Sequence, residues 1–103
     1  MNRIYVWIKR PGESPRHVLL CNKLEALQKT VGGFIETVTI AENMVIICNE
    51  EGRFLGLQKN CSIAGYDFVG TIILAGIKED EFADAPIDDE TVLKLMYPQL
   101  FEE

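Results

Sequence analysis

The chain has 103 residues, of which 48% are hydrophobic and 25% charged, and its formal net charge is −6. That is enough chain for one domain with a modest core, and too apolar a composition for a disordered segment. The acidic balance speaks against nucleic acid as the main partner, because phosphate-backbone binding needs clustered Lys and Arg.

Ile4-Tyr5-Val6-Trp7-Ile8 alternates aliphatic and aromatic residues, and Val18-Leu19-Leu20 is a second β-type run. The Pro and Gly of Arg10-Pro11-Gly12-Glu13-Ser14-Pro15 punctuate a turn between them, so residues 3–21 read as a β-hairpin. Pro15 belongs at its edge, since it cannot donate to a ladder. Asn22 fits a helix N-cap, with Glu25 three residues on as a variant capping box. Leu24, Leu27 and Val31 then fall on one face, which predicts a helix over residues 24–31. Gly32 supplies its left-handed stop, and Gly33 lets the chain reverse.

In the next predicted strand, residues 34–40, Phe34, Val38 and Ile40 share a face with Glu36, while Thr37 and Thr39 point the other way. A carboxylate on an apolar face reaches solvent at a sheet margin, caps backbone donors, or lines a pocket. Met44-Val45-Ile46-Ile47-Cys48 is apolar on both faces, the pattern of a central strand covered on two sides and paired antiparallel with 34–40. Asn49-Glu50-Glu51-Gly52 reads as a turn with Gly52 in the left-handed position, after which Arg53-Phe54-Leu55 leads back antiparallel. Gly56 to Cys61 is polar and irregular, a surface loop by composition. Phe68 to Gly76 reads as another buried strand. Asp88 then N-caps a helix over residues 89–97 that points Val92, Leu93 and Met96 at the core and ends at Pro98. The expectation is one α+β domain spanning 1–103, a mostly antiparallel sheet with two short helices.

The longest apolar runs span five or six residues, far below the roughly 20 of a membrane helix. No basic region leads into a long apolar block at the start of the sequence, so no secretory signal is read. Three cysteines, Cys21, Cys48 and Cys61, leave one unpaired under any bridge and include no C-x-x-C pair. A reduced, cytoplasmic setting is expected.

Leu24-Glu25-Ala26-Leu27-Gln28, Val31-Gly32-Gly33-Phe34-Ile35-Glu36, Val45 to Gly52, Leu57 with Asn60, and Asp67 to Gly76 resemble a known family over roughly residues 20–98. It is the "domain of unknown function 3846" family, small proteins of phages and of bacteria that carry phage-derived genes. Where members typically follow the asparagine with an arginine, this chain has Cys61. If that arginine served a ligand, Lys59 or Arg53 would have to stand in for it. The resemblance implies a phage context, and by analogy with other small phage proteins a role in countering host immunity.

The residues offer little catalytic chemistry. His17 is the sole histidine, and G-x-S-x-G, P-loop and G-x-G-x-x-G motifs are absent. Glu79-Asp80-Glu81 lacks calcium-loop spacing, and neither a metal nor a cofactor is expected. Binding is better supported: Asn49, Arg53, Gln58, Lys59 and Asn60 should lie on neighbouring surface. Amides suit a base edge and cations suit phosphate. Gly52 and Gly56 would allow close backbone approach, and Glu36 is a candidate pocket carboxylate.

Two readings follow. The first is a non-enzymatic protein that binds and sequesters a nucleotide-like small molecule, a host defence signal in the phage setting. The second is an acidic inhibitor or regulator of a host protein that imitates nucleic acid through Glu79 to Glu90, which holds seven acids and no base. No membrane partner is expected. Trp7 and Tyr5 are candidate interface aromatics for a homo-oligomer, or else packing partners of the C-terminal helix.

Overall fold

A computed structural model describes residues 2–101. β1 (Arg3–Lys9) and β2 (Arg16–Cys21) form the N-terminal hairpin, followed by α1 (Leu24–Val31). β3 (Ile35–Ala41) and β4 (Met44–Asn49) form a second hairpin, and β5 (Lys59–Ile63) and β6 (Tyr66–Val69) a third. β7 (Ile72–Lys78), β8 (Glu81–Ala83), α2 (Asp89–Met96) and a 3₁₀ turn at Pro98–Phe101 complete the chain. The main sheet runs β2-β1-β7-β4-β3, with β8 paired to β7, and every pairing in it is antiparallel. β5 and β6 form a separate two-stranded sheet.

The period-2 pattern of the strands divides the core into two layers. Ile4, Val6 and Ile8 of β1, Val45 and Ile47 of β4, and Ile73 and Ala75 of β7 meet Leu27 and Val31 of α1. Their neighbours Trp7, Ile46, Cys48, Ile72 and Leu74 face the other way, onto Ile63 and Phe68 of the small hairpin and Val92 and Met96 of α2. β4 and β7 are therefore covered on two sides, which is why residues 44–48 and 72–77 carry no polar alternation. Trp7 is buried beneath α2 and donates its indole N–H to Ile87 O at 3.3 Å, while Tyr5 is 48% exposed.

Several local expectations need correction. Asn22 does not cap α1: Lys23 is the N-cap residue without a side-chain bond, and the Asn22 amide instead donates to Phe82 O at 3.1 Å. Long-range pairing has taken the side chain the cap would have used. Gly32 ends α1 at φ 82°, as its sequence position requires. Arg53-Phe54-Leu55 is not a returning strand. Residues 50–56 coil in successive turns, with Leu55 N–H bonded to Glu51 O and Leu57 N–H to Gly52 O. Gly52 is not left-handed. A Cβ there would lie 2.9 Å from Val69 Cγ2, so close packing explains this glycine.

The run Phe68 to Gly76 is two strands rather than one, because Gly70 turns it at φ 71°. On α2, Asp88 accepts from Thr91 N–H at 2.9 Å, and the Thr91 side chain together with that N–H holds its carboxyl below the usual range. Val92 and Met96 turn inward as the periodicity demands, but Leu93 is exposed and Leu95 packs in its place.

Candidate functional site

β4 ends at the turn 50–56, and the β5–β6 hairpin folds back beside that turn. A cleft of about 270 Å³ opens between them, lined by Glu36 and Val38 of β3, Cys48 and Asn49 of β4, Glu50 and Arg53 of the turn, and Tyr66 to Val69. Its residues follow from strand register. Glu36 pairs with Cys48 and Val38 with Ile46, which places Glu36, Val38 and Cys48 toward the hairpin side of the sheet. β6 presents Tyr66 and Phe68, whose ring centroids lie 6.3 Å apart; Phe68 is buried and Tyr66 half exposed.

Arg53 reaches across the cleft and donates a guanidinium N–H to Asp67 O, tying the turn to β6. Asp67's carboxylate accepts from the Ser62 hydroxyl. The sole ion pair among the described residues joins Lys94 to Glu90 at 3.4 Å, so Glu36 and Glu50 are not neutralised by a cation. Burial pushes the Cys48 thiol up; the Glu36 charge adds to this and the Arg53 charge opposes it. The Cys48 S–H also donates to Glu36 O at 3.7 Å. A protonated, engaged thiol is a poor nucleophile.

The structure gathers Glu36, Asn49 and Arg53 and separates Gln58, Lys59 and Asn60 from them. Asn49 is buried and already engaged. It donates to Val31 O at 3.2 Å and accepts from Glu51 N–H at 2.8 Å, linking the end of α1 to the turn. Gly33 belongs to the same arrangement, because a Cβ there would lie 2.9 Å from Asn49 Nδ2. Gln58 and Lys59 are exposed at the start of β5, and Gly56 has open space where its Cβ would be and serves its positive φ of 68°.

Asn60 has a structural post. Its amide donates to Lys9 O at 2.8 Å and Gly70 O at 2.7 Å, pinning β5 to the ends of β1 and β6, and its carbonyl oxygen has no partner among the described residues. Asn60→Ala would strand two carbonyls, so it should cost about 1–3 kcal/mol of stability in urea denaturation. An unchanged midpoint would contradict this assignment. Beside it the buried Lys9 ammonium donates to Arg10 O at 3.0 Å and lies 5.8 Å from the Tyr97 ring centroid. The C-terminal end of α2, where Tyr97 sits, favours a cation there. Lys9 is the nearby charge that partly offsets the rise burial imposes on the Cys61 thiol.

A family model described as Domain of unknown function (DUF3846) matches residues 2–98. The chain belongs to this family. The match takes in the β1–β2 hairpin as well as the segments on which the likeness was read. No curated protein and no solved structure gives a significant match to this DUF3846 chain.

Tyr66 and Asp67 are cleft residues that the sequence reading missed. Their strand was not recognised, although Ala64-Gly65, both at positive φ, forms the tight turn that marks a hairpin. The seven acids of residues 79–90 are all exposed, and part of that segment is built into the fold. Glu79 and Asp80 turn β7 into β8 with φ of 52° and 64°, and Asp84 accepts from Tyr5 N–H at 2.8 Å. Among the described residues no helix is long and apolar enough to cross a membrane.

Proposed function

We propose that this protein binds a small nucleotide-like molecule in the cleft between β3–β4 and β6, and retains it without chemical change. The observation that carries this reading is the composition of the cleft. It combines an apolar floor of Val38, Cys48 and Phe68 with an exposed aromatic ring at Tyr66, free carboxylates, and one guanidinium. An aromatic face with a few placed polar groups suits a base, and Arg53 at the turn suits a single phosphate. The volume of about 270 Å³ lies just below the usual range of ligand pockets, about 300–1,000 Å³, favouring a nucleoside or monophosphate over a dinucleotide.

Retention rather than turnover is supported by what the cleft lacks. His17 sits on β2, four strand spacings from β3 across the sheet, or about 19 Å. It stacks on Trp7 at 4.5 Å between ring centroids, which is a packing role. In the phage setting that the family resemblance implies, such a protein would withdraw a host defence signal in the host cytoplasm. The competing reading, an acidic face docked on a host protein, has less support. Two acids of that segment, Asp84 and Asp88, already hold Tyr5 and Thr91 within the fold.

Titration calorimetry with the nucleotide that binds best tests the site. Arg53→Ala should lose roughly ten- to hundred-fold in affinity, the usual loss for a charged hydrogen-bond partner, with Tyr66→Ala also weakened. Both side chains are exposed, so melting temperatures should fall by no more than a few degrees, Arg53→Ala through the loss of its bond to Asp67 O. Unchanged affinity in both variants would remove the cleft as the site.

A further inference from the structure

We infer that the cleft recognises an N–C–N edge carrying two parallel N–H donors, as guanine presents, and that Glu36 is the side chain that reads it. The inference rests on the reading of the cleft as a small-ligand site and narrows its ligand class.

The cleft is a poor match for a highly charged anion. Three carboxylates (Glu36, Glu50 and Asp67) line it against one guanidinium, Arg53, and that group is partly occupied by Asp67 O. A ligand with several phosphates would meet repulsion, whereas one that offers N–H groups would meet acceptors. An ionised carboxylate is acceptor-only, and its two oxygens take a pair of parallel N–H donors in the same plane. Adenine offers an acceptor beside its amine on the corresponding edge and cannot make that pair.

Glu36 is better placed for this than the other two. Asp67's carboxylate is bonded to Ser62, and Glu50 sits on the turn rather than on a strand. Glu36 projects from β3 beside Val38 and opposite Cys48, so its backbone is held by the ladder on the face that looks at Tyr66 and Phe68. No hydrogen bond or ion pair occupies its carboxylate among the described residues. A base stacked on Tyr66 would turn its edge toward this strand. Glu36 is exposed on β3, the edge strand of the sheet, so its carboxylate is open to a ligand entering the cleft.

Two sources share this chemistry, guanine and a free guanidinium cation, and the test separates them. The intact protein is titrated with guanosine, inosine and adenosine 5′-monophosphates and with agmatine, then again as Glu36→Gln. Guanosine monophosphate should bind at least about tenfold tighter than the inosine and adenosine forms, with Glu36→Gln losing that preference at an unchanged melting temperature. Agmatine binding with the same dependence on Glu36 would support the inference and assign the edge to a cation. Equal affinity for adenosine and guanosine monophosphates, or a preference that survives Glu36→Gln, would overturn the inference and leave the cleft as a small-ligand site. Binding of none of the four would overturn the inference, while a nucleotide outside this set that binds and is lost in Arg53→Ala would keep the cleft as a small-ligand site.

Discussion

Val45→Asp should bring the protein close to global unfolding. Val45 is 4% exposed near the start of β4, and the cluster around it, from Val6 and Ile47 to Leu27 and Val31, is wholly apolar. A carboxylate there has no cation to pair with, and an uncompensated buried charge costs about 3–5 kcal/mol. A domain of this size has roughly 5–15 kcal/mol in all, so the loss is a large share of the total. The penalty should depend on pH in a definite direction. Burial raises the pKa of the introduced carboxyl above its unfolded value of about 4, so the neutral form is tolerated in acid and the cost grows as pH rises through the raised value. Urea denaturation at several pH values measures this. A midpoint equal to that of the unmodified protein at neutral pH would contradict the placement of β4 inside the sheet, between β7 and β3.

Gly76→Ala is expected to have a comparable effect for a steric reason. A Cβ on Gly76 would lie 2.2 Å from Asp84 O and 3.1 Å from Asp84 C, both backbone atoms that cannot rotate away. β7 and β8 would have to part. β8 has only three residues, and beyond it Asp84 and Ala85 hold Tyr5 through two hydrogen bonds of 2.8 Å. Separation at Gly76 therefore loosens the path from the sheet to α2. Overpacking typically costs about 1–3 kcal/mol, and a clash with fixed backbone belongs at the upper end. For a domain of this length that corresponds to a melting temperature lower by at least about 10 °C. A melting temperature within about 2 °C of the unmodified protein would contradict the close β7–β8 approach.

What could be read from the sequence was local or periodic. Leu24, Leu27, Val31 and Gly32 specify α1 and its end because helix spacing and the glycine stop act over a few residues. Met44 to Cys48 announced a doubly covered strand because burial on both faces leaves no polar alternation. Hairpin neighbours, β1 with β2 and β3 with β4, were legible, but the long-range ones were not: β7 inserts between β1 and β4, a pairing set by contacts far apart in sequence. Asn22 shows the same limit, since its capping chemistry is real but its amide is used sixty residues away at Phe82.

In the cleft, Glu36 was legible as an exception, a charge on an apolar face, and the structure places it on the cleft wall. Asn60 drew notice as a ligand residue because an asparagine in polar sequence looks free. Its amide is instead fixed by carbonyls of β1 and of the residue after β6. Tyr66 and Asp67 could enter the site only once the Ala64-Gly65 turn had brought β6 back beside β5.

Binding without turnover in this cleft is the central claim. It is tested most directly by a thermal-shift screen of the protein against a nucleotide library, followed by chromatography of each hit after heat release. Ligands that bind the folded state raise its melting temperature in proportion to the logarithm of concentration over affinity. The account predicts a shift with a small nucleoside-type ligand, abolished in the Arg53→Ala and Tyr66→Ala double variant, and recovery of that ligand intact. A ligand recovered chemically altered, a shift that persists in the double variant, or no shift across the library would contradict it.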